Sequence, residues 1–262
     1  MTRVSYFGAP VDILSMEETL AIAERAMAGG PPVRHTALNV AKLVKMADDP
    51  LLNEDVCGSD IIGIDGAGIA WGLGLFGIRG VDRVAGVDLF LNLLGLCARK
   101  GLRPYVLGAR QDVLERALAE AQRRYPGLCF AGSRNGYFSA SDIPGIVADI
   151  RASGAAALFV AMPTPHKERF LNAHAASLGV AFVMGVGGSV DVLAGHVSRA
   201  PRWMQRMGLE WFHRMVKEPR KMAWRYASTN TAYAWWLAKS LLTGRNPVRA
   251  ASLACSRADQ AN

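Results

Sequence analysis

Short apolar runs recur along this chain, each followed by a longer stretch of helical periodicity, and that alternation limits the possible folds most sharply. Arg34–Leu38, Ile61–Ile64, Arg103–Leu107, Cys129–Ala131, Ala156–Met162 and Ala181–Val186 read as strands, with mostly helical segments between them. Runs this apolar suit strands covered on both faces. The expected class is therefore α/β: a Rossmann-like, mostly parallel sheet with helices on both faces. With 262 residues, 51% of them apolar, the chain can bury a full core. Residues 1–198 are expected to form it.

Ligands of open α/β sheets bind beyond the carboxyl ends of the strands. Polar or glycine punctuation falls there: Thr36 and Asn39, Asp65-Gly66, Gly108, Gly136-Tyr137 and Gly187-Gly188. Asp65 directly follows Ile61-Ile62-Gly63-Ile64, which puts its carboxylate at the edge crevice as a helix cap or as a reacting group. Gly185-Val186-Gly187-Gly188 follows an apolar strand, where bare backbone N–H groups can approach a diphosphate or simply turn the chain. Gly72-Leu73-Gly74-Leu75-Phe76-Gly77 spells G-x-G-x-x-G, yet it falls inside a helical stretch, which argues against dinucleotide binding.

Several chemistries lack their residues. No D-x-D triplet occurs, and His35, His166, His174, His196 and His213 show no metal-ligand spacing, so no metal and no resident cofactor are expected. Cys57, Cys97, Cys129 and Cys255 lie far apart, against a zinc site or a disulfide scaffold. No G-x-S-x-G elbow supports a hydrolase. Ile61–Ile78 approaches the length of a membrane span, but Asp65 and six glycines suit a strand, turn and helix in a soluble core. Met1–Pro10 lacks a basic segment leading into an apolar run, so no leader is read there and a cytoplasmic location is expected.

Thirty Lys and Arg against 22 Asp and Glu favour an anionic partner. The excess gathers late. From Arg199 to Arg249 eleven basic residues face only Glu210 and Glu218, interleaved with Trp203, Trp211, Phe212, Trp224, Tyr226, Tyr233, Trp235 and Trp236. Rings and cations together suit a membrane interface. Residues 199–249 are expected to form a helical, membrane-docking appendage broken at Pro219, and 250–262 a disordered tail.

Several segments jointly resemble the WecG/TagA/CpsF family of bacterial glycosyltransferases, glycosyltransferase family 26, over nearly the full length. They are Thr36-Ala37-Leu38-Asn39, Asp65-Gly66, Arg83-Val84-Ala85-Gly86-Val87-Asp88, Val106-Leu107-Gly108, Tyr125-Pro126-Gly127, Gly136-Tyr137-Phe138, Gly185-Val186-Gly187-Gly188 with Asp191 and Gly195, Arg199-Ala200-Pro201, and Leu209-Glu210-Trp211 leading to Glu218-Pro219-Arg220. The resemblance implies sugar transfer from a UDP-sugar to a polyprenyl-diphosphate-linked sugar in cell-surface or extracellular polysaccharide synthesis. Inversion and independence of metal are implied with it, at the inner face of the cell membrane. It implies Asp65 as general base, with Thr36, Asn39, Arg83 and Asp88 around the acceptor. Gly108, Gly136, Tyr137, Lys167, Glu168, Gly187, Gly188 and Asp191 would serve the nucleotide-sugar, and Arg214, Arg220 and Arg225 would contact diphosphate from the appendage. One departure stands out: the family commonly reads Pro-Lys-Gln-Glu where this chain has Pro165-His166-Lys167-Glu168, a cation in place of an amide.

Two other classes fit parts of the pattern. A nicotinamide-dependent oxidoreductase suits the α/β alternation but not the misplaced glycines, and an anionic-surface or nucleic-acid module suits only the basic tail. The expected partners are the UDP-sugar, the lipid-linked acceptor and an anionic membrane surface, without nucleic acid; a homo-oligomer is compatible with them.

Overall fold

Five of the six apolar runs become parallel strands and the run at Cys129–Ala131 ends just ahead of the sixth: β3 (Val33–Leu38), β4 (Ile61–Ile64), β5 (Pro104–Gly108), β6 (Gly132–Arg134), β7 (Ala157–Ala161) and β8 (Phe182–Gly185), in the order β4-β3-β8-β7-β5-β6. The computed structural model describes residues 2–217 and 219–250, without the side chains of 220–223 and 225. Alternation along the central strands explains their unbroken apolarity. Ala157, Phe159 and Ala161 enter one buried cluster with Phe90, Leu114 and Phe182, while Leu158 and Val160 enter another with Ile146 and Phe170. Helices cover both faces, as an α/β sheet requires.

Three helices begin at the carboxyl edge and matter for function: α2 (Val40–Asp48), α4 (Ala67–Leu75) and α5 (Gly86–Lys100). After the last sheet strand come the short helices α9 (Ser189–Leu193) and α10 (Arg202–Arg206), then α11 (Glu210–Lys217) and α12 (Pro219–Thr243). Pro219 opens α12, where its missing N–H costs nothing. Among the described residues no helix is long and apolar enough to cross a membrane.

A second, smaller sheet has the order β2-β1-β9, from β1 (Thr2–Tyr6), β2 (Ala9–Ile13) and β9 (Val248–Ala250), all antiparallel. Phe7 and Gly8, at φ 48° and 80°, form the two-residue turn of a tight hairpin. The hairpin closes the flank of β4: buried Asp12 accepts Ile62 N–H at 2.8 Å and a bidentate pair from Arg3 at 2.8 and 2.7 Å. An edge N–H is thereby satisfied.

The segment expected as an appendage packs on the body at several points. Tyr233 of α12 is 6% exposed and joins Val4, Tyr6, Leu38, Leu43 and Ile62 in an apolar cluster. Its hydroxyl meets the Tyr6 hydroxyl at 2.6 Å and donates to Gly68 O at 2.8 Å. Trp203, Trp224 and Trp235 stay 59%, 81% and 63% exposed, so the stretch divides into ordinary core and bare aromatic surface. Residues 251–262, most of the expected tail, lie outside the described residues.

Candidate active site

Asp65 is the first residue past β4, and distant backbone fixes it. Its N–H donates to Leu38 O at 2.9 Å. Its Oδ1 accepts the N–H of Gly86, the opening residue of α5, at 2.8 Å. That helix has no cap from its own N-cap side chain, so Asp65 supplies one from 21 residues away, in the favourable sense of the helix dipole. Oδ2 takes no hydrogen bond among the described residues.

Beside Asp65 lies a cavity of about 720 Å³, walled by the loops that leave four neighbouring strands. Asn39 and Lys42 follow β3, Asp65 to Gly68 follow β4, Met162 to Thr164 follow β7, and Gly187 to Ser189 follow β8. The first turns of three helices border it, α2 at Asn39 to Ala41, α4 at Gly66 to Gly68, and α5 at Ala85 to Val87, with Gly86 N–H already donated to Asp65 and Gly66 N–H to Leu38 O. Lys42, Lys45, Lys167, Arg83 and Arg214 add cations against Asp65 and Glu210. Such a wall suits a diphosphate.

Two of the cations are held by one buried acid. Lys42 Nζ and Lys167 Nζ approach the same Glu168 oxygen, Oε1, at 2.9 and 2.8 Å. Lys42 also donates to Ala37 O at 2.6 Å, and Lys167 to Thr164 Oγ1. Burial would raise the Glu168 carboxyl, but the two ammonium groups outweigh it and hold it at about 2. Below them on β3 sits His35, buried and with neither ring nitrogen hydrogen-bonded. Burial, helped by the Lys42 cation, pushes its imidazole down to about 4, so it is neutral at pH 7.

Of the residues expected from sequence, Asn39, Asp65, Arg83, Lys167, Gly187, Gly188 and Arg214 line this cavity. Others do not. Thr36 points to the opposite face of β3, its Oγ1 2.8 Å from Ser59 Oγ, while Ala37 lines the cavity; successive strand residues alternate. Asp88 is held in a bidentate pair by Arg199 at 2.5 and 2.6 Å. Glu168 acts from behind the wall. Gly108 and Gly136 pack together at the ends of β5 and β6, with Gly136 N–H on Ala109 O at 2.8 Å. A Cβ on Gly108 (φ 120°) would strike Ala161 backbone. Tyr137 is 75% exposed, and Asp191 lies in α9 behind Gly188. The side chains of Arg220 and Arg225 lie outside the described residues.

Arg83 is a clasp more than a wall. Its Nε donates to Asp65 O at 2.8 Å, one terminal nitrogen donates to Gln205 O at 3.1 Å, and the other pairs with Glu210. Glu210 also pairs with Arg199 at 3.3 Å. A chain of charges, Arg83–Glu210–Arg199–Asp88, thus fastens the stretch after Arg199 to the residue bearing the candidate base.

The G-x-G-x-x-G run has a structural explanation. It begins in α4, where Gly72 admits the Tyr6 and Tyr233 hydroxyls that any Cβ would strike. Among the described residues no group of three or more His, Cys, Asp or Glu could hold a metal ion.

The family model described as "Glycosyl transferase WecG/TagA/CpsF family" matches residues 4–247. Over 168 residues the chain is 35% identical to the N-acetylglucosaminyldiphosphoundecaprenol N-acetyl-beta-D-mannosaminyltransferase of Bacillus subtilis (strain 168), covering 64% of this chain and 63% of that protein.

Proposed function

The chain belongs to the WecG/TagA/CpsF family of glycosyl transferases, and from that premise we propose that it moves a sugar from a UDP-sugar to a polyprenyl-diphosphate-linked sugar, with inversion and without a metal ion. The observation that carries this is Asp65: one oxygen held by Gly86 N–H, the other open, beside a cavity rimmed by three helix N-termini. The named activity of the Bacillus subtilis relative has the same acceptor class.

Inversion is a single displacement. The acceptor hydroxyl oxygen attacks the anomeric carbon as Asp65 Oδ2 takes its proton, and the bond from that carbon to the diphosphate oxygen breaks with its electron pair leaving on UDP. Charge then grows on the diphosphate. The ammonium groups of Lys42 and Lys167, kept in place by Glu168, stand beside the N–H groups of α2, α4 and α5 to receive it. Preorganised donors of this kind are worth roughly 3–4 kcal/mol each. Arg214 reaches the cavity from α11, which joins the segment after Arg199 to the same chemistry. Its bare tryptophans fit docking on an anionic membrane at the inner face.

Asp65→Asn preserves shape and removes the base. Transfer assayed with radiolabelled donor is expected to fall at least a hundredfold while UDP affinity, read by calorimetry, stays within a factor of about two. Near-normal turnover would overturn the assignment. Exhaustive chelation is expected to leave the rate unchanged, and a strict requirement for added divalent ion would disprove the metal-free step.

A further inference from the structure

A second cavity, about 1180 Å³, opens beside the first and shares only Arg83 and Ala85 with it. Arg116, Arg123 and Arg124, from the helix α6 (Gln111–Arg124), line it together with Arg199, Arg202 and Arg206. The acids in its lining are Asp88 and Glu120, and both are engaged. Asp88 holds Arg199 in a bidentate pair, Glu120 holds Arg123 at 2.7 Å, and Arg116 shares the nearby Asp112 with Arg110. Arg124 lies over the Tyr125 ring, 5.6 Å from its centre. Arg202 and Arg206 have no carboxylate partner among the described residues. Cations gathered around one cleft repel each other, and the arrangement is stabilised when an anion enters.

The chemistry of that anion follows from its hosts. Guanidinium forks match phosphoryl oxygens two at a time, and forks on both sides of the cleft match two adjoining phosphoryl groups better than one small anion. Trp203 and Met207, 59% and 55% exposed, flank Arg202 and Arg206 in the chain and offer apolar surface to whatever the phosphates are attached to. We propose that this arginine cleft is a second anion site, which takes a diphosphate carried on a lipid and holds it across the Arg83–Glu210 partition from Asp65. For the identity of that lipid as acceptor or product, this rests on the transfer reaction proposed above; the site itself does not.

The test is calorimetric titration of the full chain, saturated with UDP, using inorganic pyrophosphate and farnesyl diphosphate as probes. Both are expected to bind, farnesyl diphosphate at least tenfold more tightly. In the double variant Arg202→Glu with Arg206→Glu, both should weaken at least tenfold while UDP affinity is unchanged. Arg202→Gln with Arg206→Gln, which leaves no new charge, should show the same order of effect and guards against misfolding. Wild-type affinity for either probe in the double variants overturns the site. Equal affinity of the native chain for the two probes overturns the lipid and leaves a free diphosphate as ligand. Failure of the native chain to bind UDP would sink the transfer reaction instead, because the variants are also read on pyrophosphate alone.

Discussion

Lys42 stands in the first turn of α2, where a cation opposes the helix dipole, yet it is only 6% exposed. Such a residue needs a carboxylate, and Glu168 provides it from another helix. Neither its burial nor its partner can be read from Asn39-Val40-Ala41-Lys42, because nothing local links positions so far apart. Asp65 was legible for the opposite reason: a strand-end carboxylate before glycine has few places to go. Thr36, expected around the acceptor from the family resemblance, faces Ser59 on the side of β3 away from this cavity, since successive strand residues point to opposite faces. Lys167→Gln leaves Glu168 with one ammonium group, so the preference among UDP-sugars is expected to shift; identical kinetics for every donor would show that the departure from the family pattern is neutral. A pH effect also belongs at this scale. With His35 depressed to about 4 from its usual 6.5, the unfolded chain takes a proton that the folded one refuses. Stability is therefore expected to fall as pH drops from about 6.5 toward 4, and further below about 4.5, where Glu168 takes a proton in the unfolded chain while the folded chain holds it at about 2. At roughly 1.4 kcal/mol per pKa unit, the His35 share is of order 3 kcal/mol. Urea titrations of the native chain and His35→Leu at pH 7 and 5 measure it, and an equal loss in both would refute the histidine's part.

At the scale of elements, five of the six main-sheet strands were visible as apolar runs, and the polar edge strand was misplaced. Cys129–Ala131 only approaches the sheet, and β6 is Gly132–Arg134, where a Cβ on Gly132 would come within 2.6 Å of the Tyr105 ring. An edge strand needs no apolar run, so apolarity pointed three residues early. The β1–β2 hairpin was missed because Met1–Pro10 was weighed only as a leader, although Val4 and Tyr6 alternate with Arg3 and Ser5 ahead of a glycine turn. Helix breaking at Pro219 was readable; the clasp was not, since Glu210 binds across 127 residues to Arg83. Glu210→Gln leaves Arg83 and Arg199 without their shared acid, a loss of roughly 1–3 kcal/mol. The expected readouts are faster tryptic cleavage near Arg206 and an acceptor KM raised about tenfold with UDP affinity retained. Unchanged cleavage and unchanged KM would mean that Arg83 needs no clasp.

At the scale of the molecule, charge and aromatic content pointed to an anionic surface, but not to which rings stay bare. Trp224→Glu with Trp235→Glu, both at exposed positions, should reduce sedimentation with phosphatidylglycerol vesicles and slow transfer to an acceptor embedded in them, while transfer to a short-chain soluble acceptor holds. Undiminished sedimentation would place the docking surface elsewhere. The small sheet carries a separate consequence. Because β9 pairs with β1, with Val4 opposite Ala250 and Tyr6 opposite Val248, and because Arg199 is pinned to Asp88, the helices between them form a strap buckled at both ends. A strap cannot swing like a door. Between its buckles it is stitched down again by Glu210 on Arg83 and by Tyr233 in the core, so only the lengths between stitches can bow, and the entropy available to each grows only with the logarithm of its length. Entry of a bulky ligand beneath it would call for undoing one of these fastenings, and the part-buried ion pair at Asp88 is easier to release than three backbone-paired residues of sheet.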